Sequence, residues 1–268
     1  MLRNVKNGII ALDNGQMPYA SFGRGSRTLV LLPGLGDGLK NVQGMALPLA
    51  WMYRLFAKDF RVLVLSRKLP LEEQADTRTM ARDVQQALDR LGVERFSLVG
   101  VSMGGMIAQH LAADLPQRVE KLALVVTCPC PNAILEDSIT RWTDMARRGD
   151  HGALMVDNGA RIYSDGYLKK YGWMFPVVAR FTKPASYRQF LIMAEACRTH
   201  DAQHRLTEIT APTLVVGGEQ DKCLGGDPSR ALAARIADAQ LKMYAAYGHG
   251  CYEEARDFHQ TLLAFLTE

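Results

Sequence analysis

The pentapeptide Gly100-Val101-Ser102-Met103-Gly104 sets one hydroxyl between two glycines, where an apolar run ends and a helical pattern begins. A serine hydroxyl attacks an acyl carbon only when a base takes its proton, and an imidazole base needs a carboxylate to orient it and stabilise its charged form. Of the six histidines, His110, His151, His200 and His259 fall on helical patterns or in the middle of the chain, and His204 precedes the solvated stretch RLTEI. His249 differs: Tyr247-Gly248-His249-Gly250 is a glycine-flanked loop after an apolar run, from which a side chain can reach the end of a strand. The carboxylate is sought in VVGGEQDKCLGG, where Asp221 is the first candidate and Glu219 and Asp227 share the loop. The order Ser102, Asp221, His249 differs from the orders of chymotrypsin-like and subtilisin-like proteases.

Such a nucleophile needs donors for the oxyanion that forms when it attacks. The backbone N–H of Met103, at the start of the helix, is one candidate, favoured also by the helix dipole. The N–H of Leu35, in the tight stretch Pro33-Gly34-Leu35-Gly36, is the other. A phosphate-binding loop is excluded there, because no Lys-Ser/Thr follows Gly38 and the GxGxxG spacing is missing.

The elements that must position these residues are legible in the hydrophobic pattern. TLVLLPG (28–34), RVLVLS (61–66), RFSLVGVS (95–102) and KLALVVTC (121–128) are nearly continuous apolar runs, as expected of strands buried on both faces. GIIALD and PYASFG, separated by Asn14-Gly15, predict an antiparallel lead-in. TRTMARDVQQALDRLG (77–92) predicts a helix with Met80, Val84, Leu88 and Leu91 on one face and Gly92 at its end, and MIAQHLAADLPQRV predicts another, closed near Pro116. The alternation implies right-handed βαβ crossovers and a mostly parallel sheet, an α/β class. It stops at CPCPNA; from about 134 to 205 the pattern is helical and aromatic, and APTLVVGGEQD, AQLKMYAAYGHG and a final helix YEEARDFHQTLLAFL restore it. One α/β core, residues 1–133 and 206–268, with a helical insertion at 134–205 is therefore expected.

The insertion holds a dense set of aromatics between 142 and 190. Most would form its own small core, but Trp142, Tyr163, Trp173 and Phe175 are candidates for lining an apolar pocket that faces the main domain. Its basic residues, among them Arg141, Arg147, Arg148, Arg161, Lys169 and Lys170, read first as a solvated face.

Composition narrows the function classes. At 268 residues, 22% charged and net +4, with basic residues interleaved with acidic ones, the chain carries no nucleic-acid footprint. Nothing approaches eighteen uninterrupted apolar residues, and the first residues lack a signal-peptide pattern, so no membrane partner and a cytoplasmic location are expected. Five cysteines without CxxC spacing predict reduced, buried thiols, and the absence of clustered His and Cys predicts no metal; the expected partner is a small-molecule substrate, on a monomer or homodimer.

The blocks LLPGLGDG, RDVQQALDRLGVERFSLVGVSMGGMIAQHLAADLPQRVEKLALV, ITAPTLVVGGEQD and YGHGCYEEARDFHQTLLAFL together resemble the α/β-hydrolase superfamily over nearly the whole length. In particular they resemble its small cap-bearing members, the esterases and enol-lactonases. The resemblance implies a mostly parallel eight-stranded sheet flanked by helices, with the insertion as a cap. It also implies a cofactor-free serine hydrolase acting on a small, largely apolar ester or lactone through an acyl-enzyme. Carbon–carbon, thioester or amide hydrolysis, perhydrolysis, or a non-catalytic binding role on the same fold are the alternatives it leaves. The chain departs from the family twice. Pro33 stands where a histidine usually braces the oxyanion loop, and LSRKLPLEEQ lacks the frequent glycine-rich turn after the fourth strand.

Overall fold

The computed structural model describes residues 3–268. Eight strands, β1 (Lys6–Leu12), β2 (Gly15–Gly23), β3 (Arg27–Leu32), β4 (Phe60–Leu65), β5 (Phe96–Val101), β6 (Val119–Val125), β7 (Thr213–Gly218) and β8 (Gln240–Tyr244), form one sheet in the order β1-β2-β4-β3-β5-β6-β7-β8. β1 pairs antiparallel with β2, and β2 antiparallel with β4. Every later pairing is parallel. The turn between β1 and β2 is the one that Asn14-Gly15 predicts, with Gly15 at a φ of 152°.

The apolar runs are continuous because each strand feeds two cores. In β3, Val30 and Leu32 enter one cluster, while Leu29 and Leu31 enter the other. β6 divides likewise, Leu122 and Leu124 against Ala123 and Val125. Alternation of side chains across the pleat makes both faces apolar, and each large aliphatic so buried contributes about 1.5–3 kcal/mol. The helix Thr77–Arg90 begins on Asp76, whose carboxylate accepts from the Thr79 N–H at 2.6 Å. It buries Met80, Val84 and Leu88, and it ends where Gly92 takes a left-handed φ of 64°. The last helical stretch differs from expectation. It is broken into Cys251–Glu254 and Phe258–Thr267, with Ala255 extended between them. The break lets Phe258, Leu262, Phe265 and Leu266 turn into the second core.

Between β6 and β7 lie five α-helices, Ala133–Arg147, His151–Ile162, Asp165–Tyr171, Met174–Thr182 and Arg188–Arg198, and a 3-10 helix, Gln203–Glu208. Some of their basic residues are ion-paired within the insertion: Arg141 with Asp157, Arg147 with Asp144, Arg161 with Asp137 and Asp157, and Arg198 with Glu136. The insertion returns to the core at Arg188–Arg198, where the backbone of Phe190 lies against Gly38, so close that a Cβ on the glycine would sit 2.8 Å from it.

Two histidines that carry no part of the predicted chemistry meet beneath this return. His110 and His200 pack edge to face at 5.2 Å, both buried, and His200 Nδ1 lies 2.9 Å from the Thr77 hydroxyl. Burial lowers His110 to about 4 and His200 to about 3, from 6.5. Because the folded-state values are depressed, the unfolded chain binds more protons below pH 6.5, and stability falls as pH drops from there toward 4. Denaturant midpoints measured between pH 7.5 and 5 are expected to show this loss. In a His110→Leu/His200→Leu variant the slope is smaller by up to about two protons; an unchanged slope refutes the assignment.

Candidate active site

β5 ends at Val101, and Ser102 turns the chain directly into the helix Met103–Asp114 with φ 54° and ψ −120°, a strained conformation for a residue with a Cβ. The turn closes only because its neighbours lack side chains. A Cβ on Gly104 would stand 2.0 Å from the Leu32 carbonyl oxygen, and one on Gly100 2.5 Å from the Gly104 carbonyl oxygen. The hydroxyl is thereby lifted over the carboxyl ends of the parallel strands, the place where open α/β sheets gather their functional loops.

The loops after β7 and β8 meet it there. His249 Nε2 lies 3.0 Å from Ser102 Oγ, and His249 Nδ1 lies 2.8 Å from Asp221 Oδ2. Asp221 is held in turn: its Oδ1 accepts from the N–H groups of Cys223, at 2.7 Å, and Leu224, at 2.9 Å. The imidazole and the carboxylate are almost sealed from water, with side chains 7% and 2% exposed. The rival acids lie elsewhere. Glu219 is on the surface and pairs with Arg230, and Asp227 opens the helix Asp227–Arg235. Cys223 adds a third ligand atom within 4.8 Å of those of Asp221 and His249. Burial and the Asp221 carboxylate push its thiol well up, so thiolate ligation there is disfavoured.

Leu35 and Met103 are the first residues of a 3-10 turn, Leu35–Gly38, and of the helix Met103–Asp114, positions whose N–H groups have no acceptor within the helix. Pro33, Gly34, Leu35, Val101, Ser102 and His249 share the lining of a cavity of about 310 Å³. Across it, the insertion contributes Trp142, Asn158 and Ile162. A larger recess of about 580 Å³, around Arg24, Trp51 and Arg54, shares none of these residues, and among the described residues no hydroxyl, thiol or carboxylate lines it.

Of the four aromatics expected at the pocket, only Trp142 lines it, its indole N–H donating to Asp157 at 3.0 Å. Tyr163, Trp173 and Phe175 do not. Tyr163 stacks on Tyr167 and donates to Glu253 at 2.7 Å, at the seam between insertion and core, and Phe175 packs on Tyr163 and Gly159 within the insertion. Trp173 stands 68% exposed. Helical spacing does not distinguish a face turned to the pocket from one turned to a neighbouring helix or to water.

The structure also supplies what the missing loop histidine left open. Asp37, in the turn after Leu35, is buried and accepts from Ser66 Oγ at 2.6 Å and from the Arg67 N–H at 2.9 Å; Ser66 Oγ in turn accepts from the Val42 N–H at 2.9 Å. The Arg67 guanidinium, 1% exposed, donates through Nη2 to the Pro33 carbonyl. Among the described residues its Nε and Nη1 have no partner. Burial raises the Asp37 carboxyl, a shift opposed by the Arg67 charge and the Ser66 hydrogen bond. The sequence signal was the SRK stretch closing an apolar run after β4: charge at the carboxyl end of a buried strand belongs to a site or to a partner beneath one.

A strained serine over a parallel sheet, facing a histidine backed by a carboxylate, is an α/β-hydrolase arrangement, and residues 27–151 match the alpha/beta hydrolase fold family. The chain is 32% identical over 200 residues to RutD of Variovorax paradoxus (strain S110), a relative named for carbamate hydrolysis, covering 70% of this chain and 71% of that one. It belongs to the α/β-hydrolase superfamily. It is also 28% identical to the 2-hydroxy-6-oxononadienedioate/2-hydroxy-6-oxononatrienedioate hydrolase of Paraburkholderia xenovorans (strain LB400), over 94% of this chain and 90% of the relative. In three dimensions it is similar to the enol-lactonase of Burkholderia xenovorans LB400, with a TM-score of 0.82, 23% identity and coverage of 97% and 100%. Among the described residues no helix is long and apolar enough to cross a membrane.

Proposed function

We propose that this α/β-hydrolase is a serine hydrolase that cleaves a small, largely apolar carboxylic ester or lactone through an acyl-enzyme. The observation that carries the reading is the hydrogen-bonded line from Ser102 Oγ through His249 to Asp221 Oδ2, with contacts of 3.0 and 2.8 Å. Ser102 Oγ attacks the acyl carbon while His249 Nε2 takes its proton; Asp221 orients the ring and stabilises the imidazolium; the N–H groups of Leu35 and Met103 receive the oxyanion. His249 then protonates the leaving oxygen, and water, deprotonated by the same imidazole, releases the acid.

Two further parts of the reading concern the walls. Residues 134–205 act as a cap, since Trp142, Asn158 and Ile162 close the cavity over Ser102. Asp37, Ser66 and Arg67 act as positioning residues: Arg67 and Asp37 clamp the oxyanion loop on either side of Leu35, the work a loop histidine does elsewhere in the superfamily.

The relatives named for hydroxy-oxo-dienedioates favour a second reading, hydrolysis of an oxo-acid by the same residues. Lys40, the one cation among the cavity's lining residues, then meets the substrate's carboxylate. A panel of p-nitrophenyl esters, lactones and 2-hydroxy-6-oxo-dienoates separates the two by kcat/KM. A fluorophosphonate is expected to add its phosphonyl group once, at Ser102, as read by peptide mass. Labelling elsewhere, or none, overturns both.

A further inference from the structure

The helix Met174–Thr182 turns an apolar face to solvent. Its inner side is settled, with Ala179 buried and Phe175 against Gly159 and Tyr163. On the outer side Trp173, Val177 and Phe181, spaced at i, i+4 and i+8, are exposed by 68%, 44% and 84%. Met174 and Val178 are exposed beside them. A contiguous apolar surface of this kind marks an interaction site.

The charge around it identifies the partner. From Gly166 to Ala194 the chain has no Asp or Glu, while Lys169, Lys170, Arg180, Lys183 and Arg188 fall in the same stretch. Arg188 pairs with Glu73; among the described residues the other four form no ion pair. Helical spacing sets Arg180 at the edge of the Trp173–Val177–Phe181 face. A second copy docked through this face would set Lys169, Lys170, Arg180 and Lys183 against their own counterparts, with no acid between Gly166 and Ala194 to answer them. An anionic bilayer answers both features, with phosphates for the cations and acyl chains for Trp173, Val177 and Phe181.

We propose that this helix docks the protein on the surface of an anionic lipid bilayer. Among the described residues no helix is long and apolar enough to span a bilayer, and docking of this kind needs none. The inner face of the docking helix lies on the helix His151–Ile162, which supplies Asn158 and Ile162 to the cavity. Docking therefore brings the insertion's side of the cavity close to the membrane, a suitable placement for amphiphilic substrates.

The test is co-sedimentation of the full chain with vesicles of equimolar phosphatidylcholine and phosphatidylglycerol, against vesicles of phosphatidylcholine alone. Sedimentation is expected only with the anionic vesicles, weakening as salt is raised. Val177→Asp/Phe181→Asp and Lys169→Glu/Lys170→Glu are each expected to lower vesicle affinity by about tenfold or more. Turnover of a short soluble ester stays within about twofold in both, which shows that they fold. Wild-type protein left in the supernatant, variants that sediment like wild type, or a concentration-dependent dimer dissolved by the double aspartate variant would each overturn the proposal.

Discussion

Replacing Ser102 with alanine is expected to lower kcat/KM for a short p-nitrophenyl ester by about 10³-fold or more, while the fold and its thermal transition persist. The alanine removes only Oγ, whose partner His249 Nε2 lies 3.0 Å away in the wall of the same cavity. The strain at this position gives a second reading of the same change. Ser102 holds a φ of 54°, and alanine carries the same Cβ, so removing the hydroxyl should relieve no backbone conflict and stability should change little. Equal turnover in variant and wild type would remove Ser102 from the chemistry. Lost turnover with lost folding would be separated from it by the denaturant midpoint.

The second large effect is expected away from the reacting atoms. Arg67→Met removes the donor to the Pro33 carbonyl and leaves the raised Asp37 carboxyl without its countercharge. Deleting one oxyanion donor outright typically costs about 10²–10³ in kcat. Loosening the loop that carries Leu35 is expected to cost about ten- to a hundredfold, in kcat and not in KM, because the ground-state carbonyl depends little on that donor. Affinity for a boronic-acid analogue of the tetrahedral intermediate should fall in parallel. Arg67→Lys keeps the charge and one donor and is expected to recover part of the loss, and Asp37→Asn should reproduce the kcat defect. A lowered melting temperature with kcat and analogue binding intact would mark Arg67 as structural only.

Much of this molecule is readable without its fold, and for identifiable reasons. The runs at β3, β5, β6 and β7 are nearly continuously apolar because both faces of a parallel sheet are covered, a demand met residue by residue along the chain. Gly92 marks a helix end because a left-handed φ is a local requirement. Ser102, Asp221 and His249 could be named because each follows a strand in a short loop, and strand ends in such a sheet converge on one edge. The rest depends on what faces what. LSRK is polar, yet Arg67 and Lys68 are buried, Arg67 under the Pro33 carbonyl and Lys68 against Asp83 at 2.9 Å. Equal helical periodicity puts Trp142 in the cavity, Phe175 in the insertion's interior and Trp173 in water. By itself the sequence determined the sheet, the elbow and the order of the three side chains, since strand burial and turn sterics act over a few neighbouring residues. Only the tertiary structure decided how the Pro33–Gly36 loop is braced and which of the aromatics lines the cavity beside Ser102, because those depend on contacts between segments far apart in the chain, such as Pro33 with Arg67 and Gly38 with Phe190.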